Sequence, residues 1–255
     1  MGNITQKSYI FKKIGKLLIG AFLKAIKFFP EFNKFKQMND GRFNVSLANI
    51  LPIITNETQE TGFDRHYVYH TSWPLRKLMQ INPAVHTDFS SSLYFIGMAS
   101  AHFNIDFYDY RPADIVLDKL KTGSCDLNNL HFESNSIESL SCMHVIEHIG
   151  LGRYGDEIDP KGDLKAISEL KRVCSINGNL LFVVPVGKPR ILFNANRVYS
   201  VEQIISYFAG FDLVEFSLIT DNAKDGGILT NPSEDILKKQ TYGCGCFWFR
   251  KQLSI

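Results

Sequence analysis

From about Val85 onward, short apolar runs alternate with stretches of helical period, which restricts the chain to a parallel sheet with helices on its faces. The first strand reads Ala84 to Phe89 and the second Ile105 to Tyr110, where Arg111-Pro112 suits a strand end. A short element near Ser124 to Asp126 precedes a buried run from Ser139 to Val145. Asp163 is expected to cap the next helix, whose Leu164, Ile167, Leu170 and Cys174 share a face, with Lys171 and Arg172 in the last turn. Asn177-Gly178 reads as a turn into a strand from Leu180 to Val186. Ser200-Val201-Glu202-Gln203 is a capping box, and Gly210 stops the helix it opens. Two last strands, Asp212 to Thr220 and Gly243 to Arg250, are joined by a segment too short for a crossover helix, so an antiparallel final pair is expected.

A chain of 255 residues buries roughly 70–75% of its unfolded surface and needs neither disulfides nor a structural metal. Cys125, Cys142, Cys174, Cys244 and Cys246 are odd in number, lack a CxxC pair and sit mostly in apolar runs, as in a reduced cytoplasmic protein. Cys244-Gly245-Cys246 alternates like a strand and reads as structural, not as a metal or redox site.

The near-neutral total of +2 conceals a split: residues 1–36 carry eight lysines against Glu31, net +7, leaving −5 for the remainder. Between residues 9 and 29, Lys12, Lys16, Lys24 and Lys27 recur at helical spacing opposite Ile10, Ile14, Leu17, Leu18, Phe22 and Phe28, and Pro30 is expected to stop the helix. Its uncharged stretch is too short to span a bilayer, so an anionic membrane surface is the expected partner, with packing on the protein's own core as the alternative. Nucleic acid is not expected, because the remainder is acidic and the lysines are interleaved with aliphatics. The chain thus divides into a basic amphipathic segment (1–36), an irregular or partly helical cover (37–84) and an α/β domain (85–255).

In an open parallel sheet, ligands bind at the carboxyl ends of the strands, and here those positions are polar. They are Asp88 to Ser92, Asp106 and Asp109, Asp126, His144, Glu147 and His148. Asp109 lies 21 positions after Asp88, suited to hydrogen-bonding both hydroxyls of a ribose. Upstream, Asp64, His66, Tyr67, Tyr69 and His70 form a polar aromatic cluster; His66 and His70, four apart, read as pocket lining or packing, and no metal is expected.

Asp126 to Leu140 and Met143-His144-Val145-Ile146-Glu147-His148-Ile149 resemble the adenine-contacting segment and the motif after the fourth strand in class I S-adenosylmethionine-dependent methyltransferases. More closely, Glu147 to Asp156, Asp159-Pro160 with Gly162-Asp163, Val184-Pro185-Val186-Gly187 and Phe193-Asn194 resemble a methyltransferase-like family, domain of unknown function 268, associated with polysaccharide biosynthesis. The resemblance covers about residues 62–250 and implies a Rossmann-like sheet, mostly parallel with an antiparallel last strand. It implies S-adenosylmethionine as cofactor, with Asp88, Ser90 and Ser91 beside its methionine part, Asp109 on ribose, Asp126 and Leu127 flanking adenine, and His144 on the pocket floor. One departure is that Phe89-Ser90-Ser91-Ser92 has none of the family's glycines: either serine hydroxyls replace backbone contacts or cofactor binding is weakened.

Methyl transfer depends chiefly on alignment, and a general base is needed when the acceptor is a hydroxyl. His144 or His148 suits that role, with Glu147 as orienting or alternative base; the competing reading is that Glu147 and His148 cap the helix or pair with Arg153. The Gly- and Asp-rich loop from Gly150 to Asp163 reads as a lid, as sugar contact through Arg153, Tyr154, Asp156 and Asp159, or as plain loop structure, ahead of a metal site. Tyr69, His70, Asn194 and Arg197 complete the expected acceptor side. The resulting expectation is a cytoplasmic, peripherally membrane-bound methyltransferase acting on a glycan or lipid-linked sugar hydroxyl. The alternative is an inactive methyltransferase-like binding module at the membrane, and a nucleotide-dependent oxidoreductase or sugar transferase on the same sheet is disfavoured by the absence of GxGxxG after strand one.

Overall fold

The computed structural model describes residues 26–51 and 61–253 and separates into two units, residues 1–63 and 64–255. In the first unit, helix α1 covers residues 26–38 of the described chain, and a 3-10 turn at Leu47–Asn49 is capped by Ser46, whose Oγ accepts the Ala48 N–H at 3.2 Å. Pro30 does not end α1 as expected: the helix runs on to residue 38, proline's fixed φ being helical and its missing N–H forgoing one backbone bond. Most of the lysine-flanked segment 9–29 lies outside the described residues. No helix among the described residues is long and apolar enough to cross a membrane.

The second unit is built on one eight-stranded sheet. Strands β1 (His86–Phe89), β2 (Ile105–Asp109), β3 (Leu120–Ser124), β4 (Ile137–Met143) and β5 (Cys174–Val186) run parallel. A hairpin of β6 (Arg190–Leu192) and β7 (Asn196–Val198) stands apart from it. Strands β8 (Phe211–Ile219), β9 (Ile228–Thr230) and β10 (Gly243–Lys251) complete the order β3-β2-β1-β4-β5-β10-β8-β9. The last strand, β10, is antiparallel to both neighbours, as the short connection before it requires.

Period-2 alternation divides the core between the two faces of the sheet. Leu180, Phe182 and Val184 of β5 join Phe247 and Phe249 beneath helices α4 (Gly162–Val173) and α5 (Val201–Tyr207). Leu181 and Val183 face the other way, under Trp73 and Leu78 of α2 (Arg65–Ile81) and Phe95, Ile96 and Ala99 of α3 (Leu93–Ser100). Truncating Phe182 or Phe247, both with no exposed surface, to alanine would cost about 3–5 kcal/mol.

Two local expectations are corrected. Asn177-Gly178 does not turn the chain; β5 runs through it, with an irregularity where Ile137 pairs Cys174 but Ser139 pairs Asn179. Residues 65–81, within the segment expected to be an irregular or partly helical cover, form the 17-residue α2 and belong to the same unit as the sheet. Asp64 caps α2 by accepting the Tyr67 N–H at 3.1 Å, and Asn82 ends it at φ +48°. Lys77 pairs with Glu215 of β8 at 2.6 Å, fixing the helix on the sheet. The capping box of α5 is present as expected, and Gly210 follows that helix at φ +89°. Asp163 lies inside the first turn of α4 and not at its cap, which falls on Lys161.

Candidate active site

Asp88 is fully buried at the end of β1 and acts on its own scaffold. One carboxylate oxygen accepts the Ser91 N–H at 3.0 Å and the other accepts the Ser141 hydroxyl from β4. Burial pushes its carboxyl up to about 6, against the hydrogen bonds from Ser141 and Ser91. Ser90 takes φ +58°, with its N–H on the Tyr108 carbonyl at 2.8 Å, so the glycine-free loop adopts the left-handed backbone that glycine favours. The Ser91 hydroxyl accepts the Met143 N–H at 3.1 Å, and Ser92 caps α3. The Ser90 hydroxyl also reaches the Tyr108 carbonyl, at 3.5 Å, so all three serine hydroxyls meet the protein's own backbone while all three residues line a cavity.

That cavity, about 630 Å³, opens at the carboxyl ends of β1 and β4 and is of the size that takes small ligands. His144 enters it from the end of β4 at φ +57°. Its Nδ1–H is directed to Glu147 Oε1 at 2.8 Å and its Nε2 lies 3.3 Å from Cys244 Sγ. Glu147 is 1% exposed; Oε1 also stands 3.8 Å from His148 Nε2, and Oε2 is buried without a hydrogen-bond partner. His148 Nδ1 lies 2.7 Å from the Ala195 carbonyl and 3.2 Å from the Arg153 guanidinium, which donates to the same carbonyl at 3.1 Å, so the ring is anchored on its Nδ1 side.

Helix α2 supplies the facing wall. His66 stacks between His144 and Tyr242, with ring centroids 5.9 and 5.6 Å away. His70 meets His144 edge-on at 4.7 Å and donates Nδ1–H to the His66 carbonyl at 2.6 Å, leaving Nε2 buried and unpartnered. Burial, reinforced by His144, drives His70 down to about 3, so it is neutral. Arg153 and Tyr154 line the same cavity, Tyr154 lying between the guanidinium groups of Arg153 and Arg111 at 5.1 and 5.6 Å.

Of the expected site residues, the cavity therefore gathers Ser90, Ser91, His70, His144, Glu147, His148, Arg153 and Tyr154. Asp109 and Asp126, at the ends of β2 and β3, are not on its wall; each accepts the N–H two residues on, from Arg111 and Asn128. Leu127 is 7% exposed and packs into the core. Tyr69 lies against Gly227 and Arg65, and Asn194 is exposed in the β6–β7 hairpin, neither on the cavity.

The loop after β4 is built, not loose. Asp156 accepts the N–H groups of Gly150, Gly152 and Tyr154, and Asp159 accepts that of Lys161 while pairing with Lys165 at 2.7 Å. Gly150, at φ +78°, brings its backbone so close to the Asp159 carbonyl that a Cβ would collide with it. Arg197, expected on the acceptor, is 5% exposed and donates to the Ile149 carbonyl at 2.6 Å, with Asp163 at 3.5 Å. A loop packed this closely must satisfy its own backbone groups, and its acids and arginine do that. Tyr242 lines the cavity and was not singled out in the sequence, Met143 entered only as the first residue of the motif after β4, and Cys244, expected to be structural, lies against His144 Nε2. An antiparallel β10 begins where the parallel strands end, and that inference would have brought Tyr242 and Cys244 to the site.

The family model described as Caenorhabditis protein of unknown function, DUF268, matches residues 124–239. No curated protein matches the chain. Among solved structures, a chain from the complex of the Haloferax volcanii Trm112 methyltransferase activator with a candidate methyltransferase is similar at TM-score 0.52 and 16% identity, over 75% of this chain and 92% of that one. A candidate sarcosine dimethylglycine methyltransferase from Galdieria sulphuraria is similar at TM-score 0.51 and 11% identity, over 74% of this chain and 86% of that one. At such identities the likeness is one of fold, and the fold is the Rossmann-like sheet of class I methyltransferases.

Proposed function

We propose that the chain is an S-adenosylmethionine-dependent methyltransferase acting on a sugar or glycan hydroxyl. The observation that carries this reading is the pairing of His148 with Glu147 on the wall of a cavity that also contains the loop after β1. His148 Nε2 accepts the acceptor hydroxyl's proton, and the imidazolium formed is stabilised by the Glu147 carboxylate beside it. Bound S-adenosylmethionine supplies an electrophilic methyl group. The left-handed backbone at Ser90 and the N-terminus of α3 suit its methionine part, and Asp109 suits its ribose hydroxyls. Asp64, Asn196, Arg153 and the rings of Tyr67, Tyr154 and Tyr242 give the cavity the mix of hydrogen-bonding groups and flat apolar faces that sugars require.

The resemblance to a family tied to polysaccharide biosynthesis, together with the basic segment 9–29, supports an acceptor presented at an anionic membrane face in the cytoplasm. Calorimetric titration of S-adenosylhomocysteine into the full chain tests the reading. Binding that is lost in Asp109→Ala supports it, and a cooperatively folded chain that releases no heat would leave the binding-module reading in its place.

A further inference from the structure

We propose that His66, His144 and Cys244 form a zinc site on the cavity wall, with a fourth position open to a ligand. One ligand atom from each of the three lies within 4.8 Å of the other two. The His144 Nε2 to Cys244 Sγ separation of 3.3 Å is close to the roughly 3.5 Å that a tetrahedral centre with Zn–N of about 2.0–2.1 Å and Zn–S of about 2.3 Å imposes. His66 approaches from the half-buried first turn of α2, where its ring is stacked on His144 at 5.9 Å, and metal binding would require it to turn toward the other two donors.

The surroundings have the form that a metal-binding histidine requires. The ring nitrogen of His144 that does not face Cys244 donates to Glu147, which fixes the tautomer and aims Nε2 at the centre. Glu147 is buried with one oxygen unpartnered, a costly state for an isolated carboxylate and a reasonable one beside a dication. A Cys244 thiolate and the Glu147 carboxylate would together offset the two positive charges of zinc. His70 adds a buried, unpartnered Nε2 on the same cavity wall. Cys244 is buried behind the cavity wall while His66 and His144 line it, so three nitrogen and sulfur donors with a fourth position on the cavity side would match catalytic zinc centres, in which that position takes water or substrate.

The site stands whether or not the chain transfers methyl groups, so its test reads the metal and not turnover. Full-length protein, stripped with chelator and titrated with Co²⁺, is expected to take up one equivalent and to develop a near-ultraviolet thiolate-to-cobalt charge-transfer band, displaced by one equivalent of Zn²⁺. Cys244→Ser abolishes the band, His66→Ala removes or strongly weakens it, and Glu147→Gln weakens zinc affinity about 10- to 100-fold. Cys125→Ser, away from the site, retains it. His66 is partly exposed, so its variant should fold even if the one at buried Cys244 does not. A wild-type chain that gives no band, or a band that survives in folded His66→Ala at full strength and affinity, overturns the proposal.

Discussion

The carboxylate of Glu147 stands between two imidazoles, accepting from His144 Nδ1 at 2.8 Å and lying 3.8 Å from His148 Nε2. The two rings therefore differ in what they can do. His144 is held on both nitrogens, by Glu147 and by Cys244, whereas His148 is anchored through Nδ1 alone and keeps Nε2 for a ligand. Under the proposed chemistry, His148→Ala leaves S-adenosylhomocysteine affinity within about twofold while lowering kcat by about 10²- to 10⁴-fold, the usual contribution of a general base. Comparing the binding isotherm with steady-state rates on a sugar acceptor checks both halves. A loss of binding as large as the loss of rate would assign His148 to the cofactor pocket instead.

A buried relay under the site gives a pH signature of its own. Asp88 meets Ser141, and His86 lies between the hydroxyls of Ser141 and Ser139 at 2.9 and 2.8 Å. Asp88 is raised from 3.8 to about 6, so the folded state holds its proton more tightly than the unfolded chain, and stability falls as pH rises from about 4 to about 6. His86 is lowered by burial from 6.5 to about 3, so its contribution falls in the opposite direction, as pH drops below about 6.5. The two slopes oppose each other across most of that window. Asp88→Asn removes one of them: relative to wild type it is more stable at pH 7 than at pH 4 by about 2 kcal/mol, read from urea midpoints at the two pH values.

The sheet was legible because its signal is local. Leu180 to Val186 is apolar at every position, the capping box at Ser200 is a four-residue pattern, and both are realised. The extent of helix α2 was not legible, because Pro74 sits inside it and its buried face mixes His70, Thr71 and Lys77 with Trp73 and Leu78. Those polar groups are satisfied locally or across the sheet: Thr71 Oγ1 donates back to the Tyr67 carbonyl at 2.6 Å, and Lys77 meets Glu215. The candidate site divides in the same way. His144, Glu147 and His148 follow a strand directly, whereas Tyr242 reaches the cavity, and Cys244 reaches His144, only through the antiparallel placement of β10. Asp156, Asp159 and Arg197 look like ligand contacts in sequence because nothing local reveals that a loop's carbonyls and N–H groups will consume them.

Ser90 carries a left-handed backbone without being glycine, and such a conformation costs an L-residue about 1–2 kcal/mol. Ser90→Gly removes that cost but gives the unfolded chain more freedom, worth about 0.4–1 kcal/mol in the other direction. The expected outcome is a change between zero and about 1 kcal/mol toward greater stability, while β-branched Ser90→Val destabilises by more than 1 kcal/mol on the order of the strain itself. Chemical denaturation of the two variants checks the sign of each.

The basic segment makes a separate prediction. If Lys12, Lys16, Lys24 and Lys27 border an interfacial helix, each contributes about 1 kcal/mol near an anionic leaflet before saturation. The full chain should then co-sediment with vesicles containing phosphatidylserine and not with pure phosphatidylcholine vesicles, and replacing the four lysines with glutamine should release it. Equal binding to both vesicle types would remove the electrostatic role.

Arg197 offers the sharpest test of how the loop beside the site is held. Its guanidinium donates to the Ile149 carbonyl at 2.6 Å, lies 3.4 Å from that of Pro160, and stands 3.5 Å from Asp163, itself 5% exposed and accepting the Tyr199 hydroxyl at 2.9 Å. Arg197→Met fills much of the same volume but leaves a buried carboxylate with one neutral partner and three carbonyls, of Ile149, Asp159 and Pro160, without this donor. Breaking a buried pair from one side costs about 3–5 kcal/mol. Arg197→Lys keeps the charge but not the fork that reaches several acceptors together, so its loss should fall between wild type and Arg197→Met. Adding Asp163→Asn to Arg197→Met should recover part of the loss, because the uncompensated charge is then gone. Urea midpoints at unchanged m-value measure all four chains, and a double variant no more stable than Arg197→Met would show that the lost carbonyl contacts, not the stranded carboxylate, carry the cost.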